Sequence, residues 1–338
     1  MEKVVWGVLG ASNFAKNRTI PAMLQSAHCR IEAIASRSLE KAQEQADRFG
    51  IPRAYGSYDQ LLADPAIEAV YIPLANHLHV PWTIKAAEAG KHVLCEKPIA
   101  MNAAEAETLL DVRERTGKLI MEAFMVRSHP QWLHARELVR QGRIGDVLAV
   151  QTFVGYNNVD PEDIRNRPEV GGGGMMDIGC YAITTTRFIL EREPQRVMAT
   201  IGRDPEFGTD RLCTVMMDFP GVQASFICGT QIQPSQRATI HGTAGSLEVE
   251  MVIIPSPDRP ARISIREGSP VDQVKSETVT FDPVNQYTIQ TDLFCRAIRE
   301  GIPQTLSLEN SIANMRVIDA AFRSGESGQW ERVWGAIL

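Results

Sequence analysis

Long apolar runs, paired cysteine motifs and an excess of basic residues are all missing from this chain. No run approaches the roughly 20 residues of a transmembrane helix, so no membrane partner is expected. The formal net charge of −6 argues against a nucleic-acid surface. The six cysteines are scattered without a Cys-x-x-Cys pair, which predicts reduced thiols in a cytoplasmic protein and no structural zinc site. The chain enters a strand directly after its first residues, so no signal peptide is expected.

The length and the hydrophobic pattern predict two domains. The chain has 338 residues, more than one domain usually holds. Short apolar runs at 4–9, 31–36, 69–72, 93–95 and 119–122 alternate with helical segments at 13–25, 39–49, 79–89 and 103–115. This alternation predicts an α/β domain with a parallel sheet, a Rossmann dinucleotide-binding domain over 1–124.

The second part of the chain changes character. Strand-like runs at 147–156, 196–201, 212–219, 222–228, 237–241 and 246–250 are separated by Gly, Pro or Asp turns. They predict an α+β domain over 125–338 with a large, mostly antiparallel open sheet. Segments 290–299 and 308–324 are predicted terminal helices, candidates for packing back on the first domain.

A glycine turn follows the first strand. Measured against Gly-x-Gly-x-x-Gly/Ala from Gly10, serine replaces the second glycine and alanine takes the third place. Backbone N–H groups and the helix dipole at such a turn bind a pyrophosphate. The predicted contacts are Gly10, Ala11, Ser12, Asn13 and Phe14.

The second strand ends at Ser36-Arg37-Ser38, where an NAD-binding fold usually carries an acid. Two hydroxyls and a guanidinium would bind a 2′-phosphate, and Lys41 adds positive charge. The sequence therefore favours NADP(H) over NAD(H). The alternative is an N-cap serine, Ser38, beside a surface arginine, and both can hold together.

The loop after the next strand contains polar side chains and a proline. Such a loop suits the nicotinamide ribose, and its predicted contacts are Pro73, Leu74, Asn76 and His79. A metal role for His79 is disfavoured, because no carboxylate-histidine cluster with metal spacing accompanies it. We expect it to hydrogen-bond at the start of a helix.

The run His92-Val93-Leu94-Cys95-Glu96-Lys97-Pro98 ends an apolar strand at a carboxylate, an amine and a proline. Ligands of open α/β sheets bind beyond the carboxyl ends of the strands, so Lys97 is predicted at the rim of the site. Taken alone, the tripeptide is more often a surface Glu-Lys pair ahead of a helix.

Four consecutive glycines, 171–174, precede a predicted helix that carries Asp177 and Tyr181. Four glycines allow close backbone approach, and residues four apart share a helix face. Tyr181 is a candidate acid/base and Asp177 a candidate orienting group. The alternative is an Asp cap and a core tyrosine. Substrate selection is expected from side chains such as Phe153 and Tyr156.

Together these motifs resemble the Gfo/Idh/MocA family of nicotinamide-dependent oxidoreductases. Glu96-Lys97-Pro98 matches one family motif, and Gly173-Gly174-x-x-Asp177-x-Gly179-x-Tyr181 matches a second. The similarity covers nearly the whole chain. It is strongest to an NADP(H)-dependent branch acting on sugars and polyols, which includes glucose-fructose oxidoreductase and NADP-dependent xylose dehydrogenase.

The resemblance implies a role for each of several residues. Lys97 would bridge the nicotinamide ribose and the reacting oxygen, Tyr181 would be the acid/base, and Asp177 would bind or orient the substrate. The remaining implied contacts are Glu96, Arg165 and Tyr287 to the cofactor and Phe153 to the substrate. Ile164 replaces a tryptophan that relatives carry beside Arg165. No metal is required, and the family pairs the open faces of its second sheets into homodimers or homotetramers.

The predicted activity is reversible hydride transfer between NADP(H) and a carbinol or carbonyl carbon of a sugar or polyol. A non-catalytic NADP(H)-binding sensor is the alternative from another class, although a sensor has no need of Lys97, Asp177 and Tyr181 together. A third possibility is a sugar-to-sugar oxidoreductase that never releases its nucleotide.

Overall fold

The computed structural model describes residues 2–268 and 274–333. Contacts divide the chain into two compact units, Met1–Met125 with Asn285–Ile312, and Val126–Val284 with Ala313–Leu338. The segment Asn285–Ile312 is therefore grouped with the first unit, although it follows the second unit's strands in sequence. Within the described part of the chain, no helix combines the length and apolar character needed to cross a membrane.

The first unit contains a six-stranded parallel sheet. Its strands are β1 (Val4–Leu9), β2 (Cys29–Ala35), β3 (Arg53–Tyr55), β4 (Ala69–Ile72), β5 (His92–Cys95) and β6 (Ile120–Glu122). Their order, β3-β2-β1-β4-β5-β6, is that of a Rossmann fold, with the switch point between β1 and β4. The prediction of this fold is confirmed; β3 was not predicted, since three residues give no periodic signal.

The α-helices are α1 (Ile20–Leu24), α2 (Leu39–Phe49), α3 (Tyr58–Leu62), α4 (His79–Glu88), α5 (Ala103–Thr116), α6 (Pro130–Arg140), α7 (Cys180–Leu190), α8 (Gln286–Glu300) and α9 (Leu308–Ser327). Asn102 caps α5 by accepting a hydrogen bond from Glu105 N, and Gly117 ends it at φ +64°. The helix predicted over 13–25 begins at Asn13 as expected, widens into a π turn over Ala15–Thr19 and continues as α1.

The second unit contains a nine-stranded sheet. Its strands are β7 (Val147–Asn157), β8 (Arg196–Arg203), β9 (Asp210–Phe219), β10 (Val222–Gly229), β11 (Gln231–Gly242), β12 (Gly245–Val249), β13 (Ala261–Glu267), β14 (Lys275–Phe281) and β15 (Glu331–Arg332). Neighbours pair antiparallel except β7 and β10. The sheet is therefore mixed, and β13, β14 and β15 extend it beyond the predicted runs.

The two faces of this sheet differ. Val150, Thr152 and Val154 alternate on the buried face of β7. On the opposite face of β9, Leu212 and Met216 are 43% and 46% exposed. One face is thus packed and the other is open.

Candidate functional site

The glycine turn after β1 has the geometry that a close backbone approach requires. Gly10 has φ +110°, and a Cβ there would lie 2.8 Å from a methyl carbon of Leu74, so only glycine fits without rearrangement. The Ser12 hydroxyl accepts a hydrogen bond from Ala15 N at 3.1 Å. Serine at the second motif position therefore caps the helix that follows.

The end of β2 exposes positive charge. Arg37 and Lys41 are exposed, and Ser38 accepts from Lys41 N at 3.4 Å. Ser38 is therefore the N-cap of α2, the structural role weighed as an alternative above. Ser36, two residues before Ser38, donates its backbone N–H to Tyr55 O.

Sequence reasoning missed Tyr58 at this edge. Its hydroxyl oxygen lies 3.7 Å from where a Gly10 Cβ would be, and its ring contacts Trp82 edge to face at 4.8 Å. Burial raises the pKa of Tyr58, and the nearby charge of Arg37 opposes that shift. Tyr58 is thus near both the glycine turn and Arg37. It reaches this position only when separate strands and their connections fold together, so no local motif indicates it.

His79 connects two loops of the first unit. Its Nδ1 lies 2.7 Å from Pro98 O and its Nε2 lies 2.9 Å from Leu74 O. Burial lowers its pKa to about 4, whereas two carbonyl partners suit a doubly protonated ring. The ring is fully enclosed, so burial outweighs the effect of the two carbonyls on this pKa. In either form the side chain braces the Leu74 loop against the Lys97–Pro98 peptide, which is cis.

Pro73 is buried, and Leu74 and Asn76 are half-buried in the same loop. Among the described residues, no three His, Cys, Asp or Glu side chains gather into a group that could hold a metal.

A buried hydrogen-bond network holds Glu96, the residue before Lys97. The Tyr71 hydroxyl is 2.5 Å from Glu96 Oε1 and 2.9 Å from Thr19 Oγ1. Burial and the charge of Glu96 hold the pKa of Tyr71 well above its usual value, so the phenol remains a donor. Glu96 thus ties the end of β5 to β4 and to the first helix. Tyr71 and Thr19 carry no motif and were not predicted.

Tyr287 presents an unsatisfied polar atom beside the glycine turn. Its ring contacts Phe14 edge to face, with 5.8 Å between centroids, and its side chain is 5% exposed. Its hydroxyl is buried and has no hydrogen-bond partner among the described residues. Burial, with a smaller contribution from Glu96, raises its pKa. A buried phenol without a partner fits a polar ligand group at this place.

In the second unit the glycine run packs directly on the loop that carries Arg165. Gly173 N donates to Arg165 O at 2.8 Å, and Gly172 N to Arg167 O at 3.0 Å. A Cβ at Gly172 would lie 2.6 Å from Arg165 O. The glycines are required for this close approach of two backbones.

Asp177 lies at the centre of a polar cluster. Tyr156 donates its hydroxyl to Asp177 Oδ2 at 2.6 Å, and Arg165 Nε donates to the same oxygen at 3.0 Å. Arg165 Nη1 also lies 3.2 Å from Asp163 Oδ1. Asp177 raises the pKa of Arg165, while burial and the same carboxylate raise that of Tyr156. The cluster therefore sets a guanidinium and a phenol hydroxyl, both as donors, against the carboxylates of Asp163 and Asp177.

Asp177 and Tyr181 lie on adjoining turns of one helical segment. A π turn, Met175–Gly179, carries Asp177, and α7 then carries Tyr181, which is 3% exposed. Asp210, at the start of β9, accepts a hydrogen bond from Met175 N at 2.5 Å and so fixes the start of this segment. Asp210 was not predicted, since it is 33 residues from Asp177 and follows an ordinary turn.

The structure does not bring Phe153 to this cluster. Phe153 is opposite Ile227 in the pairing of β7 with β10, whereas its neighbour Thr152 is opposite Phe226. Phe226 lies on the packed face, 3.4 Å from where a Gly179 Cβ would be. Because side chains alternate along a strand, Phe153 lies on the open face, and Tyr156 is the β7 side chain that reaches Asp177.

These features define a protein with a dinucleotide-binding fold in one unit and a large mixed sheet in the other. Family models agree over both units. Residues 4–124 match an oxidoreductase family with an NAD-binding Rossmann fold, and residues 132–248 match the GFO/IDH/MocA C-terminal domain. The chain belongs to the Gfo/Idh/MocA family, as the motifs predicted.

Similar proteins cover almost the whole chain. An uncharacterized oxidoreductase of Rhizobium meliloti is 45% identical over 98% of this chain and 100% of its own. A D-xylose 1-dehydrogenase (NADP(+)) of Haloferax volcanii is 37% identical over 96% and 98%. The solved structure of an aldose-aldose oxidoreductase from Caulobacter crescentus superposes with a TM-score of 0.90, at 27% identity over 98% and 100%.

Proposed function

We propose that this protein is an NADP(H)-dependent oxidoreductase that acts on a carbinol or carbonyl carbon of a sugar or related polyol. The family supports the class of reaction. The names of the xylose dehydrogenase and of the aldose-aldose oxidoreductase support the cofactor and the kind of substrate.

The observation that carries the choice of NADP(H) is the exposed Arg37 at the end of β2, where Ser36, Arg37 and Ser38 occupy the positions at which an NAD-binding fold usually carries an acid. The residues present fit the rest of the cofactor. Gly10 allows close approach of a pyrophosphate, and the buried, unpartnered Tyr287 hydroxyl fits a polar group of the nucleotide. Arg37, the Gly10–Phe14 turn and Tyr287 would hold it.

When bound, the nicotinamide supplies or accepts the hydride. The Lys97 ammonium would stabilise negative charge that develops on the reacting oxygen, and Tyr181 would give or take the proton. Asp177, oriented by Tyr156 and Arg165, would accept hydrogen bonds from substrate hydroxyls. Glu96 and His79 act on Lys97 indirectly, because they brace the chain on either side of it.

The first test is mass spectrometry of the denatured, as-purified protein, followed by initial rates with aldoses and ketoses in the presence of NADP⁺ or NAD⁺. Reduction of NADP⁺ by a sugar, with NAD⁺ much weaker, is the expected result. Stoichiometric NADP(H) together with turnover only when a second sugar is added would indicate a sugar-to-sugar reaction. Tight NADP(H) binding without turnover of any sugar would favour the sensor.

We further propose a homodimer or homotetramer formed through the open face of the nine-stranded sheet. Leu212 and Met216 are exposed there, and Phe153 and Ile227 share that face through the strand register. Light scattering should show an oligomer that Met216→Asp weakens. A cytoplasmic location is proposed on separate grounds, since all six cysteines are free thiols.

A further inference from the structure

The hydroxyl of Tyr58 lies beside the glycine turn with its hydrogen-bonding capacity unused. Its oxygen is 3.7 Å from where a Cβ at Gly10 would be, and the side chain is half-buried. It forms no hydrogen bond with any residue that the structure describes. A phenol donates one hydrogen bond and accepts others, so this hydroxyl can bind a polar group that approaches the turn.

The end of β2, which carries Arg37, is next to this hydroxyl. Gly10 N donates to Ala35 O at 2.9 Å, so the glycine turn is bonded to the chain two residues before Arg37. Burial raises the pKa of Tyr58, and the charge of Arg37 is close enough to oppose that shift. Within residues 2–268 and 274–333, Arg37 forms no ion pair. A guanidinium and a phenol from separate elements are therefore both available to one ligand.

The direction of the Tyr58 ring is set by α4. Trp82 contacts the ring edge to face, with 4.8 Å between the centroids. The Lys85 ammonium lies 4.3 Å from the centroid of the Trp82 ring and 3.2 Å from Asp59 Oδ1. Because Asp59 follows Tyr58 in sequence, these contacts join the start of α3 to α4 on both sides of the tyrosine. A ligand would meet a hydroxyl whose position is fixed before binding.

We propose that Tyr58 is a specificity-determining residue for NADP(H), and that its hydroxyl donates a hydrogen bond to the 2′-phosphate that Arg37 binds. This inference rests on the proposed function, because it takes NADP(H) as the cofactor. A phosphate has more acceptor sites than one guanidinium fills, so a donor on a neighbouring element adds to the arginine. A hydrogen bond to a phosphate is also roughly twice as strong as one to a neutral hydroxyl, which is what NAD(H) presents there.

Fluorescence titrations of the full chain with NADPH and NADH test this role by binding alone. In Tyr58→Phe the dissociation constant for NADPH should rise about tenfold, because a bond to a charged group is lost. The constant for NADH should rise at most about twofold. The phenylalanine ring keeps the contact with Trp82, and NADH binding together with circular dichroism reports that the fold is intact.

The matched control is Tyr55→Phe. It removes a tyrosine hydroxyl three residues earlier in the chain, one that donates to Asp64 at 2.9 Å, and it should leave both dissociation constants unchanged. An unchanged NADPH constant in Tyr58→Phe, or equal losses for the two nucleotides, would overturn the inference and leave the proposed function standing. The same selective loss in Tyr55→Phe would also overturn it. If the unmodified protein did not prefer NADPH to NADH, the choice of NADP(H) in the proposed function would itself be wrong.

Discussion

The Tyr156 hydroxyl and the Arg165 Nε both donate to a single oxygen of Asp177, at 2.6 and 3.0 Å. The two donors come from a strand and from a loop, and their acceptor lies on a π turn. Three segments with different local conformations are thereby held around one carboxylate. A substrate hydroxyl bound by Asp177 would meet an acceptor whose direction is already set.

Tyr156→Phe should therefore lower kcat/KM for the sugar by about tenfold, because the carboxylate loses one of its two orienting donors. The dissociation constant for NADPH should change little, since Tyr156 itself is assigned no contact with the cofactor. Steady-state kinetics and a fluorescence titration with NADPH measure the two effects separately. The matched control is Tyr55→Phe, which removes a tyrosine-to-aspartate bond of 2.9 Å to Asp64 in the first unit. An equal loss of sugar kcat/KM in both variants would contradict the assigned role.

Lys97→Met and Tyr181→Phe address the chemistry directly. Each should reduce kcat by about 10²–10⁴-fold, the usual contribution of a positioned proton-transfer group. Binding of NADPH should persist in Tyr181→Phe, and circular dichroism should show that both variants keep the fold. Turnover close to that of the unmodified enzyme in both would remove these two residues from the mechanism.

Arg37→Ala tests the cofactor preference. Loss of a charge-assisted contact to the 2′-phosphate costs about 1.5–3 kcal/mol, so the KM for NADP⁺ should rise about 10- to 100-fold. The KM for NAD⁺ should change little, because NAD⁺ has no phosphate there. The control is Arg48→Ala, which removes an exposed arginine from the last turn of α2, the helix that follows Arg37. Equal losses for both nucleotides would refute the phosphate assignment.

Local patterns predicted the elements that carry the chemistry, because each has a short-range signal. The glycine turn, the β2 end and the Glu96-Lys97-Pro98 strand end are all readable from neighbouring residues. The sequence does not indicate the roles of Tyr58, Tyr71 and Asp210, since each reaches its partner only after separate elements fold together.

The face of Phe153 was missed for a different reason. Phe153 and Tyr156 are three residues apart, so alternation puts them on opposite faces of a strand and at most one of them can face the site; alternation does not state which one. The pairing of β7 with β10 shows that Phe153 lies on the open face. The same parallel pairing was also absent from the prediction of a mostly antiparallel sheet, because strands separated by a helix and two further strands give no local sign of their partner.

Gly173 is predicted to be the least replaceable glycine of its run. It has φ +120°, and a Cβ there would lie 1.9 Å from Asp210 Oδ1. Gly173→Ala should lower the free energy of unfolding by about 2–4 kcal/mol, from backbone strain and displacement of the carboxylate that holds Met175 N. Gly208→Ala is the control, since Gly208 has φ +75° with nothing within 4 Å of its Cβ position. It should cost only about 1 kcal/mol, the strain alone. Equal costs in urea unfolding would show that Asp210 does not restrict the site.

Two histidines should make the protein sensitive to mild acid. Burial lowers the pKa of His92 and of His129 to about 4. In each, Nδ1 accepts a backbone N–H, from Leu119 at 3.0 Å and from Gln131 at 3.2 Å, which requires that nitrogen to be unprotonated. The unfolded chain protonates both near pH 6.5, so it binds more protons than the folded chain below that pH. The stability that these two histidines contribute should therefore fall between pH 6.5 and about 4 and level off below.

The slope is at most about 1.4 kcal/mol per pH unit for each histidine, less for the partly exposed His92. His129→Asn isolates the contribution of one group, because asparagine keeps an acceptor for the Gln131 N–H at the start of α6 but does not titrate. Urea unfolding of both proteins at pH 7.5, 6.5, 5.5 and 4.5 gives the comparison. The variant should match the parent at pH 7.5 and lose less stability on acidification. Parallel curves at every pH would mean that His129 is protonated to the same extent in the folded and unfolded chains.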